Sequence, residues 1–161
     1  MPRPTYFPIA TYTTTSTSEG TVTLNNISQE YKHLVITMQL GRFDNSLVNV
    51  YFRFNNDSSA AYNTITMAWA NGGTGVYRRT LGTSFGPFYT NNETSVGRFD
   101  FMDYANTSKY KTGLSQSGTP AINAAINALT WRNTAGINRI DMFTGSGGFT
   151  VGSKITVWGV H

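Results

Sequence analysis

The sequence predicts an all-β domain, an antiparallel β-sandwich of jelly-roll type with about eight strands and an extended N-terminal arm. Three observations carry that prediction. Charged residues make up only 12% of the chain and aromatics 14%. Thr, Asn, Ser and Gly take the place of charge; Thr and aromatics suit half-buried pleated surfaces, while Asn, Gly and Ser supply turns. Runs alternating apolar and polar residues recur from Gly20 onward, with polar Gly/Asn clusters between them. Short strands joined by such turns, with no long helices between, form sandwiches and barrels. At 161 residues the chain fits one domain and buries roughly 70% of its unfolded surface.

Residues 1–19 differ from the rest. Pro2, Pro4 and Pro8 discourage regular pairing, and TYTTTSTS is low in complexity. Tyr6, Phe7 and Tyr12 anchor this segment, which reads as an arm lying on its own domain or on a neighbour. The domain proper is expected over 20–161.

TVTL (21–24) is the first expected strand. In HLVITMQL (33–40), Leu34, Ile36, Met38 and Leu40 share one face; in LVNVYFRF (47–54), Val48, Val50, Phe52 and Phe54 do. NTITMAW (63–69), GRFDFMDY (97–104), INRIDMF (137–143) and KITVWGV (154–160) read similarly, and Gly41–Ser46, NNDSS, NGGTG, TNNETS, SQSGTP and GSGG read as loops. TPAINAAINALTW (119–131) fits two descriptions. Ile122, Ala125, Ile126 and Leu129 have helical spacing behind a Thr119 cap, with Pro120 at the first helical position. Equally, Ile122, Ala124, Ile126 and Ala128 alternate with Asn123 and Asn127.

The residue inventory weighs against catalysis. The chain holds eight acidic residues and two histidines. Asp100 and Asp103, the close acidic pair, fall on opposite faces of a strand and cannot flank one glycosidic bond together. No strand–Gly-x-Ser-x-Gly–helix context presents a nucleophile, and two histidines are too few for a His-based metal centre. His33 is expected at a strand edge and His161 as a free terminus. NGGTG and GSGG lack a following P-loop lysine. NNDSS (55–59) offers one carboxylate, which fits a turn better than a calcium loop. No catalytic residue, cofactor or metal is therefore assigned. The net charge of +4 is scattered, with Arg78-Arg79 the one adjacent basic pair, so nucleic acid is not the expected partner. No segment of signal-peptide or transmembrane length is present, and a soluble chain without membrane contact is expected. Without cysteine, no disulfide framework exists. Carbohydrate stacking remains open, with Trp69, Tyr77 and Tyr89 as candidates beside Trp131 and Trp158, against a core or interface role for the same rings.

RFDFMDYANTSKYKT, then ALTWRNTAGINRIDMF, then GFTVGSKITVWGVH, follow one another across the C-terminal half. Together with YKHLVITMQL and VYFRFNND, this order resembles small β-sandwich virion structural proteins of tailed bacteriophages over residues 30–161. The resemblance implies a virion protein, a homotrimer acting as capsid decoration (cement) on the major capsid protein, or alternatively a tail-fibre or baseplate-tip module binding other tail proteins and host surface glycan. It also tilts 122–131 toward strand. The matching motifs carry no ligand site. Physically they read as structural corners. Asp103 and Asn106 bond local backbone, Tyr104 and Tyr110 bracket the turn, and Lys109 and Lys111 share a face of the next strand near a sheet edge. Trp131 packs while Arg132 and Asn133 bond the following loop. Tyr6, Phe7 and Tyr12 of the arm are the expected capsid or inter-subunit contacts.

Overall fold

The computed structural model describes residues 5–41, 48–70, 73–90, 94–120 and 124–161, with the side chains at 48, 70 and 87–90 excepted. The described residues form twelve strands and no helix: β1 (Tyr6–Thr13), β2 (Thr21–Leu24), β3 (His33–Leu40), β4 (Val48–Phe54), β5 (Tyr62–Ala70), β6 (Gly73–Gly82), β7 (Phe85–Thr90), β8 (Ser95–Met102), β9 (Lys111–Gly118), β10 (Ala124–Trp131), β11 (Ile140–Thr144) and β12 (Lys154–Val160). All pairings are antiparallel. Eight strands form one sheet in the order β1-β12-β3-β8-β9-β10-β5-β6, and four form the other in the order β2-β11-β4-β7.

The all-β sandwich is as expected, but the count exceeds eight. β1, β6, β7 and β9 are the strands that alternation did not mark; Gly, Ser and Thr dilute the apolar signal of β6 and β9, and a proline interrupts β1 and β7. Ser115–Gly118, expected in a loop, are the end of β9, and Gly73–Gly75 of the expected NGGTG turn open β6. The loop expected at 42–46, and Ile122 and Asn123 of the ambiguous segment, lie outside the described residues.

Tyr6–Thr13 of the N-terminal segment lies on its own domain, one of the two placements expected, as an edge strand of the larger sheet. Tyr6–Thr13 pairs along its length with β12, so the chain's two ends lie side by side. Pro8 is tolerated because β1 is an edge strand and the register shifts between Pro8 and Ala10. Between the sheets lies an aromatic core of Phe52, Phe54, Tyr62, Phe85, Phe101 and Trp131. Phe54 meets Phe101 edge-on at 4.9 Å between ring centres, and Tyr62 meets Phe85 in the same way at 4.9 Å.

β10 resolves the helix-or-strand ambiguity as strand. β9 and β5 pair with it on both sides along all eight residues, and that satisfies every backbone group a helix would otherwise pair internally. The side it buries was not foreseen: Ala125, Asn127, Leu129 and Trp131 face the core, while Ala124, Ile126 and Ala128 face outward.

Candidate functional site

Four connections meet at one end of the sandwich: β2–β3, β4–β5, β8–β9 and β10–β11. Polar side chains tie them together. Asn55 and Asn56 take left-handed backbone angles (φ 51° and 55°) that Asn tolerates in a tight turn. The Asn55 side chain accepts from the Asn138 and Arg139 amides at 3.0 Å each and donates to the Gly136 carbonyl at 2.8 Å. Asp57 accepts from Trp131 Nε1 at 2.8 Å, Asn133 Nδ2 at 3.2 Å and the Ser59 amide at 2.9 Å. Burial alone would raise the Asp57 carboxyl; the hydrogen bonds from Ser59, Trp131 and Asn133 outweigh it and hold the group below its ordinary value. NNDSS is therefore a turn.

The DYANTSKYKT stretch is a corner of the same construction. Asp103 has φ 49°, the Asn106 amide donates to its carbonyl, and Asn106 Oδ1 accepts from the Ser108 amide and hydroxyl. The Tyr104 side chain is fully buried and donates to the Ser28 carbonyl, whereas Tyr110 is exposed. The lysines depart from expectation. Lys109 lies outside the strand and is exposed; Lys111 starts β9, a central strand, and is buried. Its Nζ donates to the carbonyls of Asn106, Lys109 (2.8 Å) and Thr134 (3.0 Å). Three converging carbonyls stabilise an ammonium that burial nonetheless pushes to a lower pKa. The alternation rule failed here because the long stem follows the core while the charge reaches the loop backbone. Arg132 is exposed and its amide donates to the Ala61 carbonyl. Asn55, Asp57 and Gln29, which bridges the carbonyls of Ile27 and Ile137, are ties that sequence reasoning missed. Left-handed Asn-Asn turns were the readable signal.

The expected contact residues at the N-terminus are drawn onto their own domain. Phe7 packs between Tyr31 and His161, whose ring is thus part of a cluster instead of a free end. The Tyr12 hydroxyl donates to Glu19 at 2.5 Å. Tyr6 stays 44% exposed, with Arg98 reaching its hydroxyl. His33 opens β3, as expected, and its Nδ1 accepts from the Asp103 amide.

The larger feature is the outer face of the eight-stranded sheet. Across β12, β3 and β8 it is more polar: Thr156, Thr37 and Arg98 lie side by side and Arg98 grips Asp100 at 2.7 Å, although Val96 and Met102 are exposed there too. A groove of about 330 Å³ crosses this half, lined by Trp158, Thr37, Gln39, Thr156, Lys154 and Val96 among others. Trp158 Nε1 donates to Thr37 Oγ1 at 2.9 Å, fixing the ring along the groove. Across β9, β10, β5 and β6 the same face is richer in apolar side chains, with Gln116 and Arg78 at the ends of its rows. Register places Ile126, Met67 and Val76 in one row and Leu114, Ala128 and Ile65 in the next. Met67 is 48% and Leu114 62% exposed. Trp69 and Tyr77 are both exposed but on opposite faces, because Trp69 pairs with Thr74 whereas Tyr77 pairs with the inward-facing Thr66. The structure thus does not join them into one stacking platform. The Tyr89 side chain lies outside the described residues. Among the described residues, no three His, Asp or Glu side chains gather as metal ligands.

No family model and no curated protein matches this sequence. Among solved structures, an aerolysin-like protein of Bombina maxima aligns at 8% identity over 92% of this chain and 91% of that one, with a TM-score of 0.13. Similarity that low carries no argument.

Proposed function

We propose that this chain is a non-enzymatic structural protein of a tailed-bacteriophage virion, a capsid decoration protein that binds the major capsid protein at the junctions of subunits on the head's outer surface. It acts as a homotrimer without cofactor, nucleic acid or membrane. The observation that carries this reading is the tied end of the sandwich. The motifs that resemble virion proteins, DYANTSKYKT and WRNTAGI, supply the groups that clamp its loops: Lys111 on three carbonyls, and Trp131 and Asn133 on Asp57. At this end the Asn55, Asn106 and Lys111 side chains are engaged in holding backbone. A shell protein needs a stiff body and repeated modest contacts, which multiply in avidity when several copies bind together.

Gold labelling of intact particles with an antibody against this chain tests the reading by electron microscopy. Label spread over the head is the expected result; label confined to the tail end removes decoration.

The groove beside Trp158 favours a second reading, a tail-fibre or baseplate-tip module for host surface glycan. An oriented indole flanked by hydroxyl, amide and ammonium groups suits a sugar ring. Trp158→Ala abolishing glycan-array binding would favour this reading over decoration.

A further inference from the structure

We propose that the apolar half of the outer face is covered by further copies of this chain, closed around a rotation axis that runs along the strands in front of β10. The inference rests on the virion reading for its setting and on the sheet itself for its surface.

At their middle, three adjacent strands carry part of their alternation inside out. Thr64, Thr66, Ser115 and Asn127 face the domain's own core, while their neighbours Ile65, Met67, Leu114 and Ile126 face outward. A strand's apolar side marks the surface that excludes water, and a register slip of one residue would exchange the two sides. The chain instead keeps the polar side inward with a dedicated network. Thr66 Oγ1 donates to Asn127 Oδ1 at 2.6 Å, and Asn127 Nδ2 donates to Ser115 Oγ at 2.8 Å. The outward side is left with large apolar side chains in the open, beside Thr112 and Gln116.

Its size and chemistry fit a second copy. Six large apolar side chains, each roughly half exposed, offer on the order of 600 Å², at the upper end of single patches on monomers and close to the ~800 Å² that each partner gives to a standard interface. Rotation about an axis parallel to the strands preserves the level of each residue along them. With β10 at the centre, β6 of one copy faces β8 of the next, and β5 faces β9. Arg78 shares its level with Asp100, and Trp69 with Gly118. The rim guanidinium of one copy therefore comes level with the Arg98–Asp100 pair of the next, and the large indole meets a position with no side chain.

The test is the mass of the full chain by sedimentation velocity. The native chain is expected at two or three times 17.7 kDa. Met67→Glu combined with Ile126→Glu is expected at the single-chain mass with unchanged near-ultraviolet circular dichroism, since both positions lie outside the core. Gln39→Glu, on the more polar half, keeps the native mass. A native chain of 17.7 kDa, or a double variant that keeps the native mass, overturns the proposal. So does a monomer that floats with phosphatidylcholine vesicles, which would make lipid the cover. A mass of two chains retains this surface and removes the trimer from the decoration reading. Particle labelling reports on decoration independently of either result.

Discussion

β3 and β10 belong to one sheet and treat water in opposite ways. In β3 the residues Leu34, Ile36, Met38 and Leu40 are buried, while Thr37 and Gln39 look outward. In β10 it is Asn127 that is buried and Ile126 that is half exposed. The second sheet has only four strands and cannot cover eight strands evenly. β3 and β8 form the well-filled part of the core, where Phe99 and Phe101 meet Phe52 and Phe54. Under the middle of β5, β9 and β10 the interior also holds hydroxyls and an amide, and Thr64 Oγ1 has no hydrogen-bond partner among the described residues. The difference teaches that an apolar side of a strand need not be the one facing the domain's own core; on the proposal above, it is the side that further copies cover.

The comparison can be broken most forcefully in β3. Ile36→Ala, at a fully buried position, is expected to cost about 4 kcal/mol in a urea unfolding titration. Ile126→Ala changes the stability of a dissociated chain by less than about 0.5 kcal/mol and weakens self-association instead. Equal losses at the two sites would remove the distinction. Lys111→Met is expected to cost about 3 kcal/mol, because it strips the donor from three carbonyls at the tied end. The same experiment at Lys109, exposed to solvent, is expected to read no change.

Stability against pH sharpens the contrast between the tied end and the sheet face. Asp57 is held below its ordinary value of 3.8, so folding binds fewer protons there than unfolding does. Its contribution is complete above that value and is lost as pH falls through the lower folded value; Asp57→Asn flattens this acid limb. Burial holds the Tyr62 and Tyr104 phenols above 10.0. Unfolding releases their protons above pH 10 and stability falls there as pH rises. Tyr62→Phe reduces that alkaline slope, checked by thermal melts from pH 8 to 11. The smallest effect is expected at Thr64→Val, which removes the unpartnered hydroxyl and raises stability by about 1 kcal/mol.

The readable part of the fold was the part where alternation and burial agree. HLVITMQL and KITVWGV appear as strands at the residues expected, because one apolar side faces the core and the other faces polar groups. NTITMAW also revealed its strand, yet nothing local could say that Ile65, Met67 and Trp69 point away from the core, since that depends on which sheet lies beneath. β6 and β9 escaped notice because Gly, Ser and Thr leave little apolar signal, and their pairing comes from neighbours distant in sequence. The Pro-rich start was misleading for a related reason: Pro8 is costly within a sheet but acceptable at an edge, and edges are set by topology. At the corners, Asn106, Asn133 and Trp131 behaved as local chemistry suggests. Lys111 did not, since its partners come from two separate loops.

The most direct measurement is the rate of peroxide oxidation at Met67, read by peptide mass spectrometry in the native chain and in Ile126→Glu. In a single chain Met67 is 48% exposed and Met102 is 56% exposed, so Met102 serves as the internal reference. The account predicts that Met67 is protected in the native chain and becomes as reactive as its exposure allows in the variant. Equal Met67 rates in the two proteins would contradict it, leaving the inverted half of the sheet bare.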